Sequence, residues 1–328
     1  MVCHAARQGW EGSPAVIRVE RPGIYEMSAA DYHADPCPTP SLSSSIARKL
    51  LGYSPLHAAH EHPRLNPAVV ESHDEKWDRG TVAHAYLLQG EKACALIEAD
   101  DFKTAKARQQ RAEAWLDGKT PLLAYRWAEV LAMVEAANRQ LDEHQDPPRP
   151  FSAGRPEQTL AWKEGEIWCR ARLDWLHGDR RVIDDYKSGK MCANPHEWER
   201  QLWRMGHDIQ AAFYVRGVKA VTGIDAQFRF VPQENTAPFG LSVIGLSPQA
   251  LDFAHRKVER AIALWRYCLE TGTWPGYPRH TCWVDLPPWV ETQWMEREVV
   301  GSAPPASSAV DDGRSLVAQL FGDEEDED

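Results

Sequence analysis

The stretch RARLDWLHGDRRVIDDYK, residues 170–187, decides the fold. It holds two runs of residues that favour strands, separated by the polar turn 177–180, so it predicts an antiparallel hairpin. With a four-residue loop, Asp174 lies opposite Ile183, which makes Asp185 a diagonal neighbour of Asp174 on the same face. The sequence therefore predicts that two carboxylates meet on one face of a sheet.

Lys187 joins this face because side chains alternate along a strand. Carboxylate oxygens suit a hard divalent cation, and a lysine beside the cation can hold an attacking water or a phosphate oxygen. We therefore expect Asp174 and Asp185 to bind Mg²⁺ or Mn²⁺. Asp184 is the alternative in another register, but it would point to the opposite face.

Further motifs flank the hairpin in a fixed order. They are Gly80-Thr81-Val-Ala-His84 upstream, Glu157 just before the hairpin, and Gln210-Ala-Ala-Phe-Tyr214 after it. In this order the pieces resemble the PD-(D/E)XK nucleases, and more closely their RecB-like branch with the RecE-type (exonuclease VIII) phage and prophage exonucleases. The resemblance covers residues 23–299. It implies an α/β fold: a restriction-endonuclease-like core, with a central mixed sheet flanked by helices, and a helical N-terminal arm.

The resemblance also assigns roles to individual residues. The implied catalytic residues are Asp174, Asp185, Lys187, Glu157, Gln210 and Tyr214. The implied metal ligands are His84, Asp174 and Asp185. Two of these have simpler interpretations, since a histidine on a helix is often structural and Glu157 can be an ordinary carboxylate at a strand edge.

Four residues are candidates for DNA contacts. Arg170 and Arg172 resemble the arginines that precede the first aspartate in the family, and an arginine can bind a phosphate in bidentate fashion. Ser44 belongs to a serine-rich helix start, whose amides can bind phosphate, although an ordinary N-cap is the simpler interpretation. Lys103 precedes a predicted helix and also fits a solvated basic turn.

The function implied by the resemblance is a metal-dependent, ATP-independent exonuclease that acts on double-stranded DNA ends from 5′ to 3′ and leaves single strands for recombination by annealing. The absence of a Walker-type glycine-rich loop agrees with ATP independence. A structure-specific endonuclease and an inactive DNA-binding or interaction module are the alternatives. The resemblance further implies a homo-oligomer and an annealing or single-strand-binding protein as partner.

Composition limits the remaining possibilities. Seven scattered cysteines without a C-x-x-C pair predict reduced thiols and no iron–sulfur cluster. No apolar run reaches the roughly 18 residues of a membrane span, so we expect a cytoplasmic protein without membrane contact. Residues 301–328 hold eight acids and one arginine, a net −7, so the other 300 residues carry −4 of the total −11.

The expected organisation is an N-terminal extension at 1–22, a nuclease domain at 23–300 and a flexible acidic tail at 301–328. The tail either docks a partner or only keeps the protein in solution. Within the domain we expect a series of helices, then three strands, a helix, two strands and a final helix. The expected helices are 41–51, 77–88, 101–117, 122–141, 194–221 and 247–270. The expected strands are 157–162, 167–176, 181–187, 226–231 and 241–246.

Overall fold

The structure is a computed structural model that describes residues 18–68 and 79–301. The chain divides into two units, Met1–Tyr277 and Pro278–Asp328, and the first contains every element discussed below except the last helix. The predicted acidic tail beyond residue 301 and most of the predicted N-terminal extension lie outside the described residues. Among the described helices, none has the length and apolarity required to cross a membrane.

A six-stranded mixed sheet organises the first unit, with the strand order β1-β4-β5-β6-β7-β8. All neighbours in this sheet are antiparallel except β6 and β7, which run parallel. The strands β2 and β3 form a separate parallel pair. The strand bounds are β1 Gly23–Tyr25, β2 Cys94–Ile97, β3 Thr120–Leu123, β4 Gly154–Glu164, β5 Ile167–His177, β6 Val182–Gly189, β7 Gln227–Glu234 and β8 Ile244–Gly245.

Helices cover both faces of this sheet. The helix bounds are α1 Ala29–His33, α2 Ser44–Gly52, α3 Pro55–Glu61, α4 Arg79–Gln89, α5 Ala105–Leu116, α6 Trp127–Asp142, α7 Pro195–Arg204, α8 His207–Thr222, α9 Pro248–Thr271 and α10 Pro288–Gly301. One core joins α2, α8 and α9 to the sheet and includes Trp162, Phe213 and Trp265. A second core joins α4 and α6 to Tyr186 and Val231 on the other side. The predicted α/β architecture, a mixed sheet between helices, is therefore confirmed.

Helix α8 lies unusually close to the sheet. A Cβ at Gly217 would be 2.7 Å from the ring of Trp162, which is closer than real Cβ atoms come. A glycine inside a helix costs roughly 0.5–1 kcal/mol relative to alanine, so its presence here serves this close approach. As a result, α8 is pressed against β4 and β5, the strand that carries Asp174.

The hairpin forms with a register that differs from the predicted one. Leu176 pairs with Ile183 and Trp175 pairs with Asp184, a shift of two residues from the predicted pairing of Asp174 with Ile183. Because β5 continues to His177, the connection comprises residues 178–181 instead of 177–180. A shift of two preserves which residues share a face, and it brings Asp174 level with Asp185 instead of diagonal to it.

The single helix predicted for 194–221 is in fact two helices. Gly206 adopts φ 66°, a left-handed conformation that ends one helix and starts the next. Met205, the residue directly before this break, is 49% exposed. The parallel pair β2–β3 was not predicted, and β3 occupies the first two residues of the helix expected at 122–141.

Candidate active site

Strands β5 and β6 separate at the proposed site. Their backbone pairing ends at Trp175 and Asp184, and beyond it the backbone N–H of Tyr186 donates to Oδ2 of Asp174 at 2.9 Å. The Asp174 side chain thus takes the place of a missing backbone acceptor in the opening between the strands. This contact fixes Asp174 next to β6 at the level of Asp185.

Three side chains from three elements meet at this opening. His84 of α4 lies with Nε2 3.1 Å from Oδ2 of Asp174 and with Nδ1 3.8 Å from Oε1 of Glu157. One potential ligand atom from each residue falls within 4.8 Å of the other two. An imidazole nitrogen and two carboxylates form a donor set that suits a divalent cation. This cluster is the candidate metal centre. It includes Glu157, for which the resemblance implies a catalytic role in which it can complete a metal shell or hold a metal-bound water.

Asp185 and Lys187 stand beside this cluster. Oδ1 of Asp185 accepts a hydrogen bond from Nε2 of Gln210 at 2.7 Å, and Nζ of Lys187 lies 2.5 Å from Oδ2. Asp185 is 1% exposed, so its carboxylate is buried with these two partners and with the negative charge of Asp174 nearby. A buried carboxylate with few donors and a second anion beside it is suited to accept a cation.

The charged groups at the site shift one another's pKa values. Burial, together with the nearby charge of Asp174, raises the pKa of Asp185 to about 6 although Lys187 opposes the shift. Burial also raises the pKa of Glu157, again with a contribution from Asp174. The pKa of Asp174 is lowered despite its burial, because His84, Lys187 and the Tyr186 amide favour its anion. Burial alone would lower the pKa of His84, but Asp174 and then Glu157 raise it above its usual value. A bound cation would favour the anions of Asp185 and Glu157 and so oppose the rise in their pKa values.

Glu157 is held by its backbone and by an arginine. It interrupts the pairing of β4 with β5 between Pro156 and Gln158 and has φ 56°. Its Oε2 accepts from Nε of Arg172 at 2.6 Å, and Nη1 of the same arginine donates to the carbonyl of Met27 at 2.9 Å. Arg172 thus orients a carboxylate of the cluster, and the contact with DNA phosphate predicted for it stays a prediction.

Tyr214 lies beneath the site on α8, one turn after Gln210. Burial raises the pKa of its hydroxyl well above the usual value, and Tyr32, Asp185 and Asp174 add to the shift. A hydrogen bond with Ser44 opposes it. Tyr214 therefore remains protonated and neutral. Ser44 itself is buried, and Ser43 caps α2, so the simpler N-cap interpretation of this helix start applies to Ser43. The phosphate contact predicted for Ser44 stays a prediction.

Arg170 and Lys103 lie apart from the cluster. Arg170 is 4% exposed, and its guanidinium donates to Oγ of Ser41 at 2.6 Å and pairs with Asp35 at 3.2 Å. These contacts occupy donors of Arg170 in the interior, and the phosphate contact predicted for it stays a prediction. Lys103 is largely exposed and pairs with Asp101 at 3.4 Å, so its role on DNA stays a prediction.

A mixed sheet whose central strands separate around Asp174 and the Asp185-Tyr-Lys187 run defines the PD-(D/E)XK class of protein. The family model described as "PDDEXK-like domain of unknown function (DUF3799)" matches residues 43–283, and the chain belongs to this family. The predicted superfamily is thereby confirmed, and its nucleases in general use divalent metals. None of the curated proteins compared with the sequence matches it.

Solved structures resemble this chain at low sequence identity. The crystal structure of a "putative exonuclease" from Eubacterium rectale is 10% identical, has a TM-score of 0.51, and covers 91% of this chain and 99% of that chain. A phage-related exonuclease from Haemophilus somnus 129PT is 14% identical with a TM-score of 0.27, and the match covers 60% of this chain and 96% of that chain. The first of these supports the fold.

Proposed function

We propose that the protein is a metal-dependent, ATP-independent deoxyribonuclease. The observation that carries the proposal is the cluster of His84, Glu157 and Asp174 directly beside the ion pair of Asp185 and Lys187. Nothing in a sheet of this size requires three carboxylates and a lysine at the point where two strands separate. Hydrolysis of a phosphodiester needs this combination of anionic ligands and a positively charged group.

Each residue has a task that its position supports. When Mg²⁺ or Mn²⁺ is bound, it supplies an acidified water and neutralises charge on the phosphodiester. His84, Glu157, Asp174 and Asp185 would hold the ion. The ammonium of Lys187 holds the attacking water or a phosphate oxygen, since it is a compact charge at the edge of the cluster. Gln210 orients Asp185 through its amide.

The finer proposal is a 5′-to-3′ exonuclease of the RecE type that acts on double-stranded DNA ends and supplies single strands for annealing. It is supported by the order of the motifs, from Gly80-Thr81 to Gln210 and Tyr214, and by the name of the structural neighbour from Eubacterium rectale. A homo-oligomer that encloses its DNA and a single-strand annealing or single-strand-binding protein as partner complete the proposal. Truncation after Val300 would leave cleavage of naked DNA intact and abolish co-purification with that partner, if the acidic tail is the docking segment.

One experiment distinguishes the possible activities. Linear duplexes labelled at each 5′ end, and closed circular duplexes, which have no ends, are incubated with the full chain in Mg²⁺. Release of label from linear DNA alone supports the 5′-to-3′ exonuclease, cleavage of the circle indicates an endonuclease, and intact substrates indicate an inactive module.

The choice of metal is a prediction of its own. We expect turnover with Mg²⁺ or Mn²⁺ and little with Ca²⁺, because Ca²⁺ prefers more oxygen ligands at longer distances than this cluster offers. The same assay with each metal measures this preference, with and without ATP. Turnover in EDTA, or a requirement for ATP, would contradict the proposed mechanism.

A further inference from the structure

Two exposed aromatic rings lie side by side where α7 approaches α9. Trp203 and Phe253 contact each other edge to face, with ring centroids 6.4 Å apart and planes at 67°. They are 37% and 45% exposed. Adjacent exposed rings on a protein that is otherwise rich in surface charge indicate a binding surface, whereas scattered single rings do not.

Cations frame the two rings and fix their positions. Nζ of Lys257 lies 5.4 Å from the ring centroid of Trp203 and 4.9 Å from that of Phe253, and the guanidinium of Arg256 lies 5.0 Å from Phe253. Lys257 is anchored 2.7 Å from Oδ2 of Asp208, which is fully buried at the start of α8. Lys257 thus joins the two rings to α8, the helix that also carries Gln210.

Arg48 extends this surface toward the active site. Its Nη1 donates to the carbonyl of Met205 at 3.3 Å, and its buried Nε has no hydrogen-bond partner among the described residues. No carboxylate in the described part of the chain forms an ion pair with Arg48. Burial lowers the pKa of His207 to about 3, and the charges of Lys187 and Arg48 add to that effect. His207 therefore lies within the field of both the catalytic lysine and this arginine.

We propose that Trp203 and Phe253, flanked by Arg48 and Arg256, form a platform that binds single-stranded DNA next to the active site. This proposal deepens the proposed nuclease function and rests on it for the place of the strand in the reaction. Exposed rings accept the faces of unpaired bases, which a duplex does not offer, and the cations meet the phosphates. The favourable charge is local, because the chain as a whole carries −11.

The test is a direct binding measurement. The full chain is titrated against a fluorescent 20-nucleotide oligothymidine in EDTA, so that the result does not depend on cleavage. We expect Trp203→Ala and Phe253→Ala each to raise the Kd by about fivefold to a hundredfold, the range for loss of one stacked base. Trp203→Phe should keep most of the affinity and Trp203→Leu should lose it. Trp115→Ala, at a tryptophan that is also 37% exposed, is the matched control and should change nothing.

Salt dependence tests the cationic part separately. Arg256→Gln should reduce the slope of log K against log salt by about 0.7, the value for one phosphate contact on a single strand. Arg139→Gln, at an exposed arginine of α6, is the control and should leave the slope unchanged. Thermal unfolding of every variant establishes that it is folded.

Several results would overturn the platform. One is wild-type affinity for the oligonucleotide in folded Trp203→Ala and Phe253→Ala variants. Another is equal binding by Trp203→Leu and Trp203→Phe, which would indicate an apolar contact without stacking. A third is a change in sedimentation coefficient with unchanged DNA affinity, which would make the surface a protein interface. A different result separates the platform from the nuclease function. If the wild type does not cleave duplex DNA in Mg²⁺ but Trp203→Ala loses oligonucleotide binding, the nuclease function is contradicted and the platform is supported.

Discussion

Two consecutive aspartates of β6 have opposite electrostatic environments. Both are almost fully buried, at 0% exposed for Asp184 and 1% for Asp185. Asp184 accepts hydrogen bonds from Nε2 of His177 at 2.6 Å, Nε of Arg229 at 2.7 Å and the amide of Phe151 at 2.9 Å. These donors and the charge of Arg229 outweigh burial, so the pKa of Asp184 is lowered.

Asp185 has fewer hydrogen-bond donors around its carboxylate than Asp184 has. It has one amide donor from Gln210 and the ion pair with Lys187, while the negative charge of Asp174 is close enough to raise its pKa. A carboxylate whose oxygens are all hydrogen-bonded stabilises the fold and has no capacity left for a ligand. A carboxylate that is buried but incompletely satisfied costs stability and can accept a cation. Because side chains alternate along β6, the structural Asp184 lies on one face of the sheet and Asp185, at the candidate site, lies on the other.

The largest effect should come from Asp185→Asn. We expect DNA cleavage to fall by at least about a hundredfold, because stabilisation of the transition-state charge is lost, with the protein still folded. Asp174→Asn and Lys187→Ala should behave alike. Initial rates on a linear duplex in Mg²⁺ measure the effect. A folded variant that cleaves at nearly the wild-type rate would assign its residue to structure and remove the contrast with Asp184.

Asp184→Asn should show the reverse pattern. It leaves His177 and Arg229 without their buried anion, and breaking such a pair costs about 3–5 kcal/mol. Urea unfolding should show this loss, while activity per folded molecule is retained. Glu166→Gln, at an exposed acid with only a 3.8 Å contact to Lys163, is the control and should leave stability unchanged. Equal stabilities of Asp184→Asn and wild type would mean that the network around Asp184 contributes nothing.

A smaller effect concerns pH. The pKa of Asp184 is lower in the folded protein than its usual value of 3.8 in the unfolded chain. Its contribution to stability is therefore complete at pH values above 3.8 and is lost as the pH falls through the pKa of the folded protein. The Tm of the wild type should therefore fall more steeply between pH 5 and pH 3 than the Tm of Asp184→Asn. Parallel Tm curves for the two proteins would show that Asp184 is not the group responsible.

The sequence predicted the parts of the site that depend on local alternation. Residue patterns over short distances predicted the hairpin and the strand before it. They also predicted that Asp174 and Asp185 share a face and that His84 lies on a helix. The face of Asp184 was predicted for the same reason, since a strand alternates whatever its register. The two-residue difference in register escaped prediction because it depends on how β5 continues through His177.

Long-range contacts account for the other differences. Arg170 has the spacing of a site residue, but Asp35 and Ser41, more than a hundred residues earlier, occupy its donors. The break at Gly206 had a visible signal, a glycine within a helical pattern, whose conformation depends on packing. The contact of Trp203 with Phe253 joins residues 50 positions apart. The sequence around Trp203 and the sequence around Phe253 do not predict it.

Glu157 sets backbone strain against side-chain contacts at one position. A residue other than glycine at φ 56° carries strain of about 1–3 kcal/mol, and Glu157 has no pairing partner in β5 to offset it. Glu157→Gly would relieve that strain and at the same time remove a carboxylate from the metal cluster. Relief of backbone strain therefore favours glycine at this position, whereas the ion pair with Arg172 and the metal cluster both favour glutamate. The strained backbone at Glu157 is thus kept by what its side chain contacts.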